Sequence, residues 1–378
     1  MSMLPEINPD TSATLLGRVW RDNIGPSVVT LRGDTVVDIT SRDAPTIRDL
    51  MELDDVAGAV RSAKGTEIGT LTDLCAGKGM RFLAPCDLQA VKAAGVTFAE
   101  SMVERVIEEQ AAGDADRADA IRRTIAARIG DSLSGITPGS EAAAEVKRVL
   151  IAEGLWSQYL EVGIGPDAEV FTKGQPMSAV GWGAEIGLHP KSAWNNPEPE
   201  IVLAVNSTGA IKGATIGNDV NLRDFEGRSA LLLGKAKDNN ASAALGPFIR
   251  VFDDSYDMDD VEKAELTLRV TGEDGFVLNG HSSMTKISRK PADIVAQTIG
   301  RHHQYPDGFM LYLGTLFAPI QDRDAPGQGF THKIGDVVEI TEPKLGQLRN
   351  TVRLSTDCAP WTFGTAALMR NLAGRGLI

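Results

Sequence analysis

Two short runs near the start of the chain, Ser27-Val28-Val29-Thr30-Leu31 and Thr35-Val36-Val37-Asp38-Ile39, are rich in β-branched residues and are divided by Gly33-Asp34. A Gly-Asp pair between two such runs predicts a hairpin, and the strand-like pieces from Leu15 to Met80 together predict a small β-rich module. From Glu100 to Leu160 the period changes. Ile121, Ile125 and Ile129 recur every four residues, and Val146, Val149 and Leu150 form a second apolar stripe. That spacing predicts helices with one buried face and a solvated charged face. Beyond about Asp167 the alternation of strands returns, in Leu266-Thr267-Leu268-Arg269-Val270 and Val338-Glu339-Ile340, punctuated by Gly, Pro and Asn. Regular strand-then-helix alternation is absent, which argues against a doubly wound parallel sheet and for a mixed α+β fold.

Charge and cysteine usage narrow the class of protein. The 378 residues carry 38 Lys and Arg against 51 Asp and Glu, a formal net charge of -13. No basic footprint is therefore expected for a nucleic acid or an anionic membrane. Cys75, Cys86 and Cys358 are odd in number and scattered, so neither a disulfide framework nor a thiolate zinc site is indicated and a reducing, cytoplasmic compartment is expected. The first residues hold acids and prolines but no basic stretch leading into an apolar run, and no segment approaches the roughly 18 apolar residues of a membrane helix. Neither export nor membrane insertion is expected.

Several motifs fail on their context. Gly163-Ile164-Gly165-Pro166-Asp167-Ala168 fits a loose dinucleotide fingerprint, but Glu169-Val170-Phe171-Thr172 after it reads as a strand where a helix is required. Gly227 and Gly234-Lys235 are spaced too widely for a phosphate loop, and Ala236 stands where its hydroxyl residue belongs. There is no G-x-S-x-G elbow, and the histidines form no H-x-x-x-H pair. The aspartate-rich segment Asp253 to Asp260 lacks calcium-loop spacing and predicts a loop leading into a helix.

One constellation survives. In Trp194-Asn195-Asn196-Pro197-Glu198-Pro199-Glu200-Ile201-Val202-Leu203 two carboxylates sit two apart at the entry to an apolar strand, where residues i and i+2 point to the same face. Pro197 and Pro199 favour that extended backbone. Further on, Gly217-Asn218-Asp219-Val220 brings a third carboxylate after the strand-like Ala210 to Ile216. Three carboxylates with no thiol or paired histidine favour Mg²⁺ or Mn²⁺ over zinc. On these residues alone the pattern also fits an exposed acidic strand start followed by an ordinary turn.

The order of motifs decides between them. Pro197-Glu198-Pro199-Glu200, then Gly217-Asn218-Asp219-Val220-Asn221-Leu222-Arg223-Asp224, then Ala236-Lys237 before Gly246-Pro247, then Tyr305-Pro306-Asp307-Gly308 leading to Gly314-Thr315, then Gly335-Asp336-Val337-Val338-Glu339-Ile340 resemble the fumarylacetoacetate hydrolase superfamily read in sequence. The likeness extends back through Glu169-Val170-Phe171-Thr172-Lys173 to Lys92-Ala93-Ala94-Gly95-Val96-Thr97-Phe98. It covers about Pro85 to the C-terminus, and the expected division is a small N-terminal β-rich domain over 1–84 and a catalytic domain over 85–378.

The resemblance implies a mixed β-roll catalytic domain, assembled as a homodimer or a dimer of dimers, in which one Mg²⁺ chelates a 2-keto acid. The ligands would be Glu198, Glu200 and Asp219, with Lys237 the active-site lysine and Thr315 the contact to the substrate carboxylate. Ser101, Lys173 and Arg223 fall in the same segments and are expected as further substrate contacts. Phrases such as Gly154-Leu155-Trp156-Ser157-Gln158-Tyr159-Leu160 and Asn221-Leu222-Arg223-Asp224-Phe225-Glu226-Gly227-Arg228 are most similar to the sugar-acid dehydratases of that superfamily. The implied reaction is loss of water from a 2-keto-3-deoxypentonate to give 2,5-dioxopentanoate, a step of pentose catabolism performed by a lyase. Acylpyruvate hydrolysis or oxaloacetate decarboxylation on the same metal is the alternative.

Two departures bear on that choice. Gly95-Val96-Thr97-Phe98-Ala99-Glu100-Ser101 lacks the Tyr and His of many hydrolase and decarboxylase members, and Ala236-Lys237-Asp238-Asn239-Asn240 carries polar residues where others are aromatic. Both favour a hydroxylated substrate and dehydration. Lys237 is the first candidate for the base, its pKa expected to fall beside a divalent cation. Glu100, Glu108 and Glu109 are the fallback, although one solvated helix face accounts for them as well. His302 and His303 are expected to be structural.

Overall fold

The computed structural model describes residues 13–98, 123 and 136–378, apart from 153, 155, 318, 320 and 326–328. After β1 (Leu15–Arg21) the expected hairpin forms from β2 (Gly25–Arg32) and β3 (Thr35–Asp38), with Arg32 opposite Thr35 and Gly33 at φ 60 in the turn. β4 (Thr66–Thr70), β5 (Met80–Leu83), β6 (Ala90–Gly95), β7 (Glu169–Gly174) and β8 (Glu185–Leu188) follow. Next come β9 (Pro199–Val205), β10 (Ile211–Asp219), β11 (Ala243–Val251), β12 (Glu265–Thr271) and β13 (Val277–Ser283). β14 (Phe309–Tyr312), β15 (Val337–Glu342) and β16 (Gly346–Leu354) complete the strands among the described residues.

The strands form two mixed sheets. The larger has the order β4-β3-β2-β1-β11-β10-β9-β14-β6-β7, with β5 also pairing β1; the smaller has the order β13-β12-β15-β16-β8. Pairing is antiparallel except between β14 and β6 and between β16 and β8. This is the expected α+β class with mixed sheets. The N-terminal strands continue the larger sheet, because β1 pairs with β11 at Leu15 and Leu16.

Side-chain alternation explains how the layers pack. Along β12 exposed and buried residues alternate, so Leu266, Leu268 and Val270 turn inward as their spacing predicts. They meet Ile201, Leu203 and Val205 from one face of β9 in the core between the sheets. The opposite face of β9 sends Val202 and Ala204 into a second core, with Met310 and Tyr312 of β14 and with Ile47, Leu50 and Val60 of two short N-terminal helices. β9 is thus buried on both faces throughout, which its run of Ile, Val, Leu and Ala allows. The helix Glu141–Ala152 buries Ala143, Val146 and Leu150, close to the expected stripe, whereas Ile121, Ile125 and Ile129 lie outside the described residues.

One glycine is dictated by this packing. A Cβ on Gly217 of β10 would lie 2.3 Å from Cε1 of Tyr312 and 2.5 Å from Cγ2 of Val202. The Tyr312 ring is fixed by its hydroxyl, which donates to the Ala244 carbonyl at 2.7 Å, so it has little freedom to yield. Gly217→Ala is expected to cost about 1–3 kcal/mol, the usual penalty of overpacking a filled core. Urea unfolding checks this; an unchanged midpoint would show that the ring gives way.

Candidate metal centre

The polar end of the buried β9 face is where the chemistry gathers. Asp219 pairs Glu198 through its backbone N–H at 3.0 Å, and Glu200 lies opposite Gly217, so the face that carries Val202 and Ala204 also carries Glu198, Glu200 and Asp219. Their ligand oxygens lie within 4.8 Å of one another, and all three residues are buried. Extended backbone at Pro199 therefore brings Glu198 and Glu200 to one side, and the antiparallel partner supplies Asp219.

Two lysines meet this cluster. Lys237, at the end of the helix Leu233–Lys237, donates from Nζ to Glu198 Oε2 at 2.6 Å and to Asp219 Oδ2 at 2.9 Å. Lys173 of β7 approaches Asp219 Oδ1 at 2.7 Å, off the direction of a good hydrogen bond, so this contact is chiefly ionic. Asn221 donates to Glu198 Oε1 at 2.9 Å and to Glu226 Oε2 at 2.6 Å. Glu200 accepts the backbone N–H of Gly314 at 2.6 Å. Gly314 has φ 87, and a Cβ there would lie 2.2 Å from Oγ1 of Thr97, so only glycine presents its N–H in this way.

These contacts leave one carboxylate poorly compensated. Burial first, then the charges of Asp219 and Glu198, push the Glu200 carboxyl well above its ordinary value of 4.5. For Asp219 burial pulls the same way, but Lys173 and Lys237 outweigh it and hold the group below its ordinary range. Burial works against the charged form of Lys237, yet Asp219, Glu198 and Glu226 override it and keep the ammonium protonated well above its usual range. The depressed pKa expected from the sequence required a neighbouring cation; the acids alone act in the opposite direction.

The donor set suits a hard cation. Three carboxylates face two ammonium groups, with no thiol or imidazole in the cluster, which favours Mg²⁺ or Mn²⁺ over softer metals. Beside the cluster lies a cavity of about 30 Å³, room for a small ion or a water. Gly95, Val96, Phe171 and Thr315 wall it together with two acids that sequence reasoning missed, Glu169 and Glu226. Val96 holds φ 53, a conformation rare for a β-branched residue, at the edge of this pocket.

The other expected contacts are placed differently. Lys173 is fully enclosed behind Asp219 and does not wall the cavity. Arg223 stacks over the Trp194 ring, 4.5 Å from its centroid, and likewise is not in the wall. Ser101, Glu100, Glu108 and Glu109 lie outside the described residues. His302 and His303 are exposed and away from the cluster, with His303 edge-on to Tyr305.

Two mixed sheets with a buried acidic centre at the strand ends define a class of candidate divalent-cation proteins. The chain belongs to the fumarylacetoacetate hydrolase family: residues 141–353, more than half of it, match the family's fumarylacetoacetate (FAA) hydrolase C-terminal region. It is 32% identical over 188 residues to the 2-dehydro-3-deoxy-D-arabinonate dehydratase of Saccharolobus solfataricus, a match covering 49% of this chain and 58% of that protein. It is 30% identical over 194 residues to the probable 2-keto-3-deoxyxylonate dehydratase of Haloferax volcanii, covering 51% and 63%. The matches thus span less than two thirds of either relative. Among solved structures, 2-keto-3-deoxy-D-arabinonate dehydratase complexed with magnesium and 2,5-dioxopentanoate superposes with a TM-score of 0.63 at 23% identity, covering 90% of this chain and 99% of that one. This last likeness establishes the shared fold. Among the described residues no helix is long and apolar enough to cross a membrane.

Glu200 offers the clearest test of the centre. Because its carboxyl pKa is raised in the folded protein, its contribution to stability is present below the ordinary carboxyl range and is lost as pH rises through the raised value. Without metal, Glu200→Gln is therefore expected to be more stable than the wild type at neutral pH, by a margin that shrinks on acidification. With Mn²⁺ the order should reverse, because a ligand at one hundred times its Kd adds about 2.7 kcal/mol to the protein that binds it. Calorimetric unfolding in chelator and in Mn²⁺ checks both halves; equal stabilisation of the two proteins by Mn²⁺ would remove Glu200 from the ligand set.

Proposed function

We propose that the protein is a Mg²⁺-dependent hydro-lyase that removes water from a 2-keto-3-deoxypentonate to give 2,5-dioxopentanoate, in pentose catabolism. The observation that carries this reading is the buried Glu198, Glu200 and Asp219 cluster with Lys237 between two of its members, in a chain whose curated relatives include two named pentonate dehydratases. The residues present fit a hard divalent cation by their oxygen-only donors and their residual negative charge. Such an ion supplies Lewis-acid polarisation of a 2-keto group.

The chain's own residues account for the remaining chemistry. Thr315, in the pocket wall, would donate a hydrogen bond to the substrate carboxylate. Lys237, once its acidic partners are engaged elsewhere, can take the proton from C3, leaving the electron pair to form the C3–C4 double bond as the C4 hydroxyl departs. Glu169 and Glu226, which wall the same pocket, are the candidates to pass a proton to that hydroxyl. The product of that elimination still carries the C5 hydroxyl, and its tautomerisation through the C4–C5 enol yields the aldehyde of 2,5-dioxopentanoate. The absence of a Tyr and His pair around Gly95 to Ser101 supports dehydration over carbon–carbon hydrolysis.

The direct experiment is turnover by the purified protein with Mg²⁺, scored as aldehyde formed from 2-keto-3-deoxypentonates beside acetylpyruvate and oxaloacetate. Turnover of only the latter two overturns the dehydratase reading. Thr315→Ala should lower kcat/KM by roughly ten- to a hundredfold, since a hydrogen bond to a charged group contributes about 1.5–3 kcal/mol; a change under about threefold places Thr315 outside the substrate contacts. Lys237→Met should lose about 10²–10⁴ in kcat and also the wash-in of solvent deuterium at C3 of pyruvate. Exchange at the wild-type rate in that variant would assign the base elsewhere.

A further inference from the structure

Lys173 is among the most completely buried side chains of the protein, and nothing in its surroundings resembles a substrate contact. Its Nζ lies 2.7 Å from Asp219 Oδ1, 3.1 Å from the Val220 carbonyl and 3.5 Å from Ser242 Oγ, and it donates to the Lys237 carbonyl. An ammonium has three protons to give. These neighbours use them all, and none is left to reach the pocket.

The local backbone aims this side chain. β7 pairs with β6 as Thr172 opposite Lys92 and then Gly174 opposite Val91, so Lys173 is the extra residue of a β-bulge. A bulge redirects one side chain out of the regular alternation, and here it sends the lysine beneath the acidic cluster. The compact ammonium, whose three donors rotate freely, meets partners on several sides of this buried position.

We propose that Lys173 is a positioning residue for the divalent cation, holding Asp219 by Oδ1 so that Oδ2 faces the centre and fixing the backbone that presents Lys237. The proposal rests on Glu198, Glu200 and Asp219 being metal ligands. One ammonium joins the strand whose Glu169 and Phe171 wall the pocket, the residue that ends β10, and the turn after Lys237. Taken alone, removing a positive charge beside a cation site favours the cation. Orientation is taken to win because partners that orient a ligand typically contribute 10–100-fold to metal affinity.

The test is Mn²⁺ binding to the full chain in the absence of substrate, by electron paramagnetic resonance and calorimetry, in wild type, Lys173→Met and Lys173→Gln. The glutamine variant can still donate to the Val220 and Lys237 carbonyls while dropping the charge. Both variants are expected to raise the Kd for Mn²⁺ by about 10–100-fold. At saturating metal their KM for the keto acid should move less than the metal Kd. Unchanged or tighter Mn²⁺ binding in folded variants overturns the proposal, as does a raised KM with metal affinity unaltered, which would make Lys173 a substrate contact. Failure of both variants to fold would assign the lysine to stability alone and also overturn it. Absence of Mn²⁺ binding by the wild type defeats the metal reading of the three acids, a result distinguishable from wild-type binding that the variants share.

Discussion

Five charged side chains share one buried site, and the geometry of this protein is arranged around the need to balance them. Glu198, Glu200 and Asp219 are each at most 5% exposed, and Lys173 and Lys237 at most 4%. An isolated ion in such a place costs several kcal/mol after relaxation, so each charge has to find its opposite. Two ammonium groups cannot neutralise three carboxylates, and the shortfall falls on Glu200, which is stabilised by the backbone N–H of Gly314 and the more distant charge of Lys237. The site is built with a deficit of positive charge.

Strand direction is what permits so many segments to converge there. β6 and β14 run parallel and end side by side, while β9 runs against β14 and so begins at the same end. β10 ends where β9 begins, and β7 begins where β6 ends. The ends of these strands supply Gly95, Gly314, Thr315, Glu198, Glu200, Asp219 and Glu169. Apolar residues further along the same face, Val202, Ala204, Met310 and Tyr312, form the floor that keeps water from the charges on that side. The N-terminal strands lengthen the sheet at its far edge, beyond β11, and so brace the scaffold without entering the site.

The parts of this arrangement that depend on local periodicity were legible in the sequence. Glu198 and Glu200 two apart before an apolar run, and Asp219 at the end of another, are statements about which face a strand shows, and pairing β9 with β10 turns them into one cluster. The hairpin around Gly33-Asp34 and the alternation of β12 are of the same kind. What escaped depends on contacts between distant segments. Glu169 and Phe171 are two apart in a strand the sequence already marked, a signal that both face one side, but nothing local reveals that the side is the pocket. Lys173, expected from the resemblance as a substrate contact, is the extra residue of a bulge that exists only because β6 lies alongside, and it does not wall the pocket. The upward shift of Lys237 in the absence of a cation was not legible for a related reason, since it follows from the sum of charges around the group and the sequence does not give their distances.

The two lysines, alike in chemistry, are placed for different tasks. Lys173 is enclosed by two carbonyls, a hydroxyl and one carboxylate oxygen, contacts that no ligand entering the cavity would touch, so its charge is a fixed part of the wall. Lys237 borders the cavity and borrows its carboxylate partners from the very residues a cation would engage. Any cation that takes Glu198 and Asp219 removes what holds the Lys237 proton, and adds a repulsion besides. Under the proposed reading, the ammonium that compensates the acids in their resting arrangement would be released, by the same event that completes the charge balance, toward the protonation state a base requires. A permanent counter-ion behind the acids would make that exchange possible, because Asp219 would keep its contact to Lys173 while the one to Lys237 is traded.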